Sequence, residues 1–193
     1  MTEHHIVTVG ISLLTNYERE HKTTRDETIK RHHQLIDFIE RDPVRASAEL
    51  NSLNSKTQFL ELKDIKEHFG VSLIYTDTIE GKFATNMLRT FLERKGFAPI
   101  EVKLKNIALP KTPETREEMK EAQRLANEGL KELQEKVTEH VEKLRNNMPA
   151  LRIYFNVTGG YKAQVAVLYG LGKKLSIPVY YMHEEYKVAI ELP

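Results

Sequence analysis

Short apolar runs alternate along the chain with longer amphipathic stretches. The apolar runs predict six strands, at residues 6–9, 71–75, 100–104, 151–155, 177–182 and 187–192. Strands that alternate with helical segments are typical of an α/β protein with a mostly parallel sheet. The last two runs are separated only by a short polar turn, which predicts a C-terminal β-hairpin. We therefore expect a Rossmann-like α/β fold, with a mostly parallel six-stranded sheet and flanking helices.

Capping residues mark several helix boundaries. Thr78 precedes one amphipathic run and Gly96 follows it, which fits an N-cap and a left-handed stop. Asp42 and Pro43 fit an N-cap followed by proline at the first helical position. Apolar residues at helical spacing predict helices at residues 24–41, 79–94 and 163–175. Residues 58–69 carry no clear pattern.

The longest periodic segment covers about residues 113–147. Its apolar positions recur at steps of three and four: Met119, Ala122, Ala126, Leu130, Leu133, Val137, Val141, Leu144 and Met148. At a rise of 1.5 Å per residue, such a helix would be roughly 50 Å long, more than a small sheet requires. Two interpretations stay open, an ordinary surface helix and a helix that packs partly on another subunit.

Composition limits the classes of function. The 193 residues fit a single domain, residues 1–193. The charges of the 29 basic and 28 acidic residues nearly cancel, which argues against non-specific electrostatic binding of long nucleic acid. The chain has no cysteine, which excludes disulfides, thiolate zinc sites and cysteine nucleophiles. It has neither a signal peptide nor an apolar run near 18 residues, so we expect a soluble cytoplasmic protein without a membrane partner.

One stretch carries the most chemical information: Asn156-Val157-Thr158-Gly159-Gly160-Tyr161-Lys162, between a predicted strand and a predicted helix. Adjacent glycines at such a junction let backbone N–H groups point at a ligand, and the helix start favours negative charge. Lys162 in the first helical turn opposes the helix dipole, so it favours a bound anion. The stretch matches neither the Walker A loop nor the dinucleotide fingerprint.

Two further loops follow predicted strands, at residues 10–16 and 76–78. Because the carboxyl ends of parallel strands share one edge of a sheet, all three loops are expected to converge on one crevice. Their hydroxyls, amides and single lysine suit phosphate and ribose rather than a metal. Ser12 and Asp77 also have simpler interpretations as a helix cap and a turn residue.

Other polar residues carry weaker signals. The histidines, His4, His5, His32 and His33, lack a matching ligand cluster, so we expect them at the surface. Arg25 and His32 have a spacing like that of HEPN ribonucleases, which arises easily by chance. Asp77 with Glu101 and Lys103 imitates restriction-like nucleases, although that geometry calls for adjacent antiparallel strands.

Four motifs occur in the order seen in CARF domains, the CRISPR-associated Rossmann-like sensors of type III systems. They are residues 8–16 (TVGISLLTN), 46–50 (ASAEL, in the second helix), 75–81 (YTDTIEG) and 156–162 (NVTGGYK). The chain resembles this family over nearly its whole length. The first and last motifs look most like those of stand-alone ring nucleases of the family.

The resemblance implies a homodimer that holds a cyclic oligoadenylate, usually the four-adenylate ring, across its two-fold axis. It implies phosphate and ribose contacts from Ser12, Leu13, Asn16, Asp77, Thr78, Thr158, Gly159, Gly160 and Lys162. Residues of the same loops complete the expected ligand-binding set: Gly10, Ile11, Thr76, Asn156 and Tyr161. Neither a metal nor another cofactor is expected. Since the last strand ends near the chain end, the chain is expected to be a stand-alone protein or an excised sensor of a fused effector.

A ring nuclease of this kind would use a ribose 2′-hydroxyl to attack the adjacent phosphate and form a 2′,3′-cyclic phosphate. Lys162 and the amides of Gly159 and Gly160 would stabilise the transition state, while Ser12 would orient the phosphate or the hydroxyl. No residue of these loops is an obvious general base, so slow turnover is expected. The alternatives are a non-catalytic sensor that controls an effector, and an unrelated Rossmann-like nucleotide-binding protein.

Overall fold

The computed structural model describes residues 2–62, 69–105, 113–183 and 187–193. Its sheet has six strands: β1 (Glu3–Thr8), β2 (Phe69–Thr76), β3 (Ile100–Leu104), β4 (Arg152–Asn156), β5 (Val179–His183) and β6 (Val188–Glu191). Their order is β3-β2-β1-β4-β5-β6. Strands β1 to β5 are parallel, and β6 pairs antiparallel with β5. The predicted Rossmann-like fold class and C-terminal hairpin are confirmed.

Eight helices are described, and they cover both faces of the sheet. They are α1 (Ser12–His21), α2 (Arg25–Thr28), α3 (His32–Arg41), α4 (Pro43–Ala46), α5 (Ala48–Thr57), α6 (Ile79–Arg94), α7 (Arg116–Asn147) and α8 (Lys162–Leu175). Adjacent residues of a strand point to opposite faces. Accordingly, Val7 packs into the core that α1 and α3 to α6 share, whereas Ile6 packs beneath α7 and α8.

The caps of α6 are confirmed. Thr78 Oγ1 accepts a hydrogen bond from the Gly81 N–H at 2.9 Å, and Gly96 has φ of +93° just after the helix. Residues 63–68 of the unassigned stretch and residues 184–186 of the predicted hairpin turn lie outside the described residues.

The prediction of one helix over residues 24–41 is wrong, because two helices occupy this segment. Thr24 caps α2 through a capping box with Glu27, and the Thr28 hydroxyl donates back to the Thr24 carbonyl at 2.8 Å. Arg31 then has a non-helical backbone and precedes α3. The prediction for the 46–50 motif is also wrong, since Ser47 is extended and caps a separate helix, α5, rather than lying within a single helix.

Helix α7 begins in a capping box of Thr115 and Glu118, close to its predicted start. Its apolar stripe is buried only in the C-terminal half, from Gly129 through Leu133 to Leu144. Residues 116–128 contribute no buried side chain, and Met119 is 55% exposed. The half of the helix that precedes Gly129 therefore extends past the core that it helps to cover. None of the described helices combines the length and hydropathy that a membrane span requires.

The expectation that His4 and His5 lie at the surface is wrong. Both are almost fully buried within β1, where their partners are other buried polar groups. His4 Nε2 lies 2.7 Å from Ser72 Oγ, which in turn lies 2.7 Å from His140 Nε2, and His5 Nδ1 lies 2.9 Å from the Tyr180 hydroxyl. We call these five residues the histidine cluster. Burial lowers the pKa of His4 to about 4 and that of His5 to about 3, so both are neutral near pH 7.

Candidate functional site

The chain reverses the direction of its crossovers between β1 and β4, which lie side by side in the middle of the sheet. Helix α1 follows β1 and packs on one face, whereas α8 follows β4 and packs on the other. The N-termini of both helices therefore border the gap above these two strands. In parallel α/β sheets, this position is where ligands bind.

The two glycines between β4 and α8 are required by close approach. A Cβ on Gly159 would lie 2.5 Å from the Thr8 carbonyl oxygen and would also clash with Glu49 Oε1. Gly160 has φ of +88°, a conformation that side chains disfavour. A Cβ on Gly10 would lie 2.8 Å from the Gly160 nitrogen. We call residues 9–11, between β1 and α1, the β1 loop, and residues 157–161, between β4 and α8, the glycine loop. The two loops thus touch each other through backbone atoms.

Buried hydroxyl and amide groups hold the glycine loop from below. Thr8 Oγ1 donates to the Gly159 carbonyl at 2.6 Å. Asn156 Oδ1 accepts the Thr158 N–H at 3.2 Å, and Asn156 Nδ2 bonds Ser52 Oγ at 2.6 Å. Asn156 is fully buried, so the structure places its side chain under the loop rather than in the space where a ligand would lie.

The start of α8 leaves backbone donors without acceptors. The Tyr161 N–H bonds Gln164 Oε1 at 2.8 Å, but the N–H groups of Gly160, Lys162 and Ala163 have no acceptor among the described residues. Helix α1 also lacks a side-chain cap, in contrast to α5, α6 and α7. Two helix N-termini with free backbone N–H groups and no hydrogen bond from the N-cap side chain face one gap, which suits an anion.

Ser12 lies at the first position of α1, and its hydroxyl is engaged with α5. It donates to Glu49 Oε2 at 2.7 Å and accepts the Ala48 N–H at 3.0 Å. Glu49 also accepts the Gly10 N–H through Oε1 at 2.8 Å, and only 2% of its surface is exposed. Sequence reasoning missed Glu49 as a site residue. The available signal was its position four residues before the buried Leu53, on the apolar face of α5.

Two cavities meet at Gly160, and together we call them the crevice. The first has a volume of about 450 Å³ and is lined by Val9, Gly10, Ile11, Arg25, Thr76, Thr78, Glu80, Gly81, Gly160 and Tyr161. The second has about 760 Å³ and is lined by Ala48, Val157, Thr158, Gly160, Lys162, Val165, Tyr181, Met182, His183 and Leu192. The structure thus brings residues of all three predicted loops to one place. Arg25 and Glu80 are additional lining residues that the loop pattern did not indicate.

Lys162 is exposed in the wall of the larger cavity, at the first position of α8. Among the residues that the structure describes, no carboxylate lies within ion-pair distance of its ammonium group. An unpaired cation beside free backbone donors favours an anionic ligand.

A family model described as CRISPR-associated protein (Cas_APE2256) matches residues 44–193. The chain belongs to this family of CRISPR-associated proteins. The matched region includes α5 with Glu49, strands β2 to β6 and the glycine loop, so most of the crevice of this CRISPR-associated protein lies within it. No curated protein matches the chain.

Two predicted ligand contacts of this CRISPR-associated protein lie away from the crevice. Leu13 is buried in the core beside α1. Asn16 Nδ2 donates to the carbonyls of Arg45 and Ala46 at 3.2 and 3.1 Å, which fixes the end of α4. Both residues position α1, and neither lines the two cavities of the crevice.

Asp77 lies beside the crevice, toward β3, and is paired with cations. Its carboxylate is 2.5 Å from Lys82 Nζ and 3.5 Å from Lys103 Nζ. The hydrogen bond from Lys82 holds the pKa of Asp77 below its ordinary value. Strands β2 and β3 are parallel neighbours, and their pairing brings Lys103 to Asp77. Glu101, the other acidic residue of the restriction-like pattern, pairs instead with Arg89, whose Nε lies 3.2 Å from Glu101 Oε1. Within the described ranges, no three His, Asp or Glu residues could hold a metal ion together.

Arg25 and His32, the pair with HEPN-like spacing, are engaged separately. The Arg25 guanidinium pairs with Glu18 and lines the smaller cavity. The His32 ring packs edge-on against Phe83, with centroids 4.6 Å apart. This arrangement gives the pair no shared catalytic geometry.

Three large apolar side chains are exposed beside the smaller cavity. Tyr161 (52% exposed) and Ile11 (46%) line it, and Ile79 (69%), the first residue of α6, lies between the lining residues Thr78 and Glu80. Exposed apolar groups gathered around a polar cleft are typical of a binding or association surface.

Proposed function

We propose that this CRISPR-associated protein binds a cyclic oligoadenylate, cyclic tetra-adenylate in the first instance, between two copies of the chain and cleaves it without a metal. The observation that carries the proposal is the start of α8, where free N–H groups of Gly160, Lys162 and Ala163 accompany an unpaired ammonium group. These donors suit the phosphodiester groups of such a ring, which carry one negative charge each.

A dimer supplies the rest of the site in this proposal. A ring with four-fold symmetry presents equivalent phosphates to two identical half-sites. The exposed Ile11 and Tyr161, which line the smaller cavity, and the exposed Ile79 at the start of α6 would become buried between two copies. The larger cavity places Tyr181 near Lys162, which supports an aromatic neighbour for an adenine base.

The proposed chemistry is an intramolecular displacement at phosphorus. A ribose 2′-oxygen attacks the adjacent phosphorus, the bond to the 5′-oxygen breaks, and a 2′,3′-cyclic phosphate forms. Lys162 and the amide of Gly160 stabilise the charge that develops on the non-bridging oxygens. Ser12, half-buried at the start of α1, orients the attacking hydroxyl.

The second candidate is a sensor that binds the ring without cleaving it. Its support is the exposed segment of α7, residues 116–128, which extends from the core and could contact an effector. The two candidates share the same crevice, so only the fate of the ring separates them.

The test is incubation of the purified protein with labelled cyclic tetra-adenylate in EDTA. We expect linear products that end in a 2′,3′-cyclic phosphate, and a dimer in light scattering. A tightly bound but intact ring would favour the sensor. Absence of ring binding would reject both candidates.

A further inference from the structure

The carboxyl group of Glu49 is buried against Gly10 and Gly159, behind the loops that line the crevice, and is surrounded by hydrogen-bond donors. It accepts the Gly10 N–H at 2.8 Å and the hydroxyls of Ser12 and Ser47 at 2.7 Å each. No cation within the described residues lies at ion-pair distance from it. Burying a carboxylate without a cation is costly, and uncharged residues could hold the same turn. Such a group is a candidate for chemistry.

The two serines that donate to Glu49 differ in access. Each hydroxyl has one proton and two acceptor positions. The proton of Ser12 goes to Glu49, and one acceptor position takes the Ala48 N–H at 3.0 Å. Ser47 is arranged in the same way, with the Leu50 N–H as its donor, but it is fully buried. Of the two serines, only Ser12 is partly exposed, at the start of α1 and next to the cavity-lining Ile11.

We propose that Glu49 is a positioning residue that acts through Ser12 and receives the proton of the attacking ribose hydroxyl. This inference rests on the proposed cleavage of a cyclic oligoadenylate. It supplies the general base that the three loops themselves lack. Gly159 has a direct part in the arrangement, since any side chain there would displace the Glu49 carboxylate.

The 2′-hydroxyl proton passes to Ser12 Oγ while the Ser12 proton passes to Glu49 Oε2, and the 2′-oxygen forms its bond to phosphorus. The bond from phosphorus to the 5′-oxygen breaks, and that oxygen takes a proton from water. The hydroxide that remains removes the proton from Glu49, which restores the carboxylate for the next cycle.

The decisive variant is Glu49→Gln, which keeps the size and a carbonyl oxygen for the Gly10 N–H. Its amide group can donate to Ser12 but cannot receive the proton. We expect ring affinity within a few-fold of the wild type, and single-turnover cleavage in EDTA reduced about 100-fold or more. The matched control is Glu3→Gln. It removes a carboxylate at the amino end of β1, away from the crevice, and this variant should cleave at the wild-type rate.

Three results would overturn the inference. Cleavage by Glu49→Gln at the wild-type rate would remove Glu49 from the proton path. Loss of ring binding in a folded Glu49→Gln protein would show that the residue only maintains the shape of the crevice. Failure of the wild type to cleave the ring would remove the proposed function itself, and this inference with it.

A measurement on the wild type keeps the inference testable if Glu49→Gln does not fold. If two protons move in the transition state, the cleavage rate should decrease non-linearly, along a curve, as the deuterium fraction of the solvent rises. A straight-line decrease indicates one proton and would contradict the relay.

Discussion

Two polar regions lie on the same sheet, the histidine cluster within β1, β2, β5 and α7, and the crevice at the carboxyl ends of β1 and β4. In the cluster, His4, Ser72 and His140 form a continuous chain of hydrogen bonds, and His5 pairs with Tyr180. In the crevice, the N–H groups of Gly160, Lys162 and Ala163 and the Lys162 ammonium group have no acceptor among the described residues.

The comparison distinguishes polar groups that hold the fold together from polar groups that are available to a ligand. The polar groups of the histidine cluster bond mainly to one another and fix the packing of the sheet, although His4 Nδ1 and His5 Nε2 have no hydrogen-bond partner among the described residues. Polar groups that face a gap and lack hydrogen-bond partners are available to bind a ligand. Sequence reasoning judged the histidines by their residue type and missed that the fold would pair them.

The largest expected effect concerns the histidine cluster and the stability of the fold in acid. The folded pKa values of about 4 and about 3 lie below the ordinary 6.5, so the unfolded chain binds more protons in this range. Stability is therefore full above pH 6.5 and falls with decreasing pH, by about 2 kcal/mol per histidine at pH 5. Guanidinium unfolding at pH 7 and pH 5 measures it.

The control for the acid effect is His5→Gln, whose amide does not titrate. Its stability should fall about half as much between the two pH values as that of the wild type. Equal stability of the wild type at pH 7 and pH 5 would show that the histidines are accessible to protons in the folded state, and the contrast between the regions would fail.

The second prediction concerns Lys162. Lys162→Ala should reduce single-turnover cleavage of cyclic tetra-adenylate about 100-fold or more, while ring affinity falls less, because the ammonium group acts mainly on transition-state charge. Lys174→Ala, in the last turn of the same helix, is the matched control and should cleave normally. An unchanged rate in Lys162→Ala would exclude the catalytic assignment.

The third prediction concerns the contact between the two crevice loops. Gly159→Ala should destabilise the fold by about 2 kcal/mol and weaken ring binding, because the new Cβ overlaps the Thr8 carbonyl and the Glu49 carboxyl. Gly170→Ala is the control, since a Cβ there meets nothing within 4 Å. Thermal unfolding and ring titration measure both variants. Wild-type behaviour of Gly159→Ala would mean that the loops are not in close contact.

The smallest expected effect separates capping from binding at Thr78. Thr78→Ala and Thr115→Ala each remove a hydroxyl that caps a helix, so each should lower stability by about 1 kcal/mol. Only Thr78 lines the crevice, and only its variant should weaken ring binding, by a few-fold. If the two variants bind the ring equally well, Thr78 is a cap alone.

Much of the fold followed from local patterns. The strand at residues 100–104 and the helix at residues 79–94 match their predicted bounds, because alternating apolar residues and a threonine cap with a glycine stop act locally. The prediction of one helix at residues 24–41 was wrong, because the N–H groups of Lys30 and Arg31 bond the carbonyls three residues back and Arg31 leaves the helical conformation. Such a break leaves the spacing of the apolar residues unchanged, so the spacing did not reveal it.

The residues of the candidate site also fall into two groups, those that the sequence revealed and those that it did not. The glycine loop and Lys162 were recognisable from sequence, because two glycines before a helix and a cation in its first turn have local meaning. Glu49 was not, since its neighbours, Gly10 and Ser12, lie 39 and 37 residues away along the chain.

By itself, the sequence determined the α/β class, the bounds of several elements and the three loops that the parallel sheet would bring together. Periodicity, caps and glycine positions are properties of short segments, so they can be read without the fold. The tertiary structure decided which polar groups have partners. It buried His4 and His5 in their neutral forms, turned Asn156 under the glycine loop and Asn16 toward the end of α4, and set Glu49 against the glycine loop. These outcomes depend on contacts between distant segments, which hydrogen bonding and burial fix only when the sheet has formed.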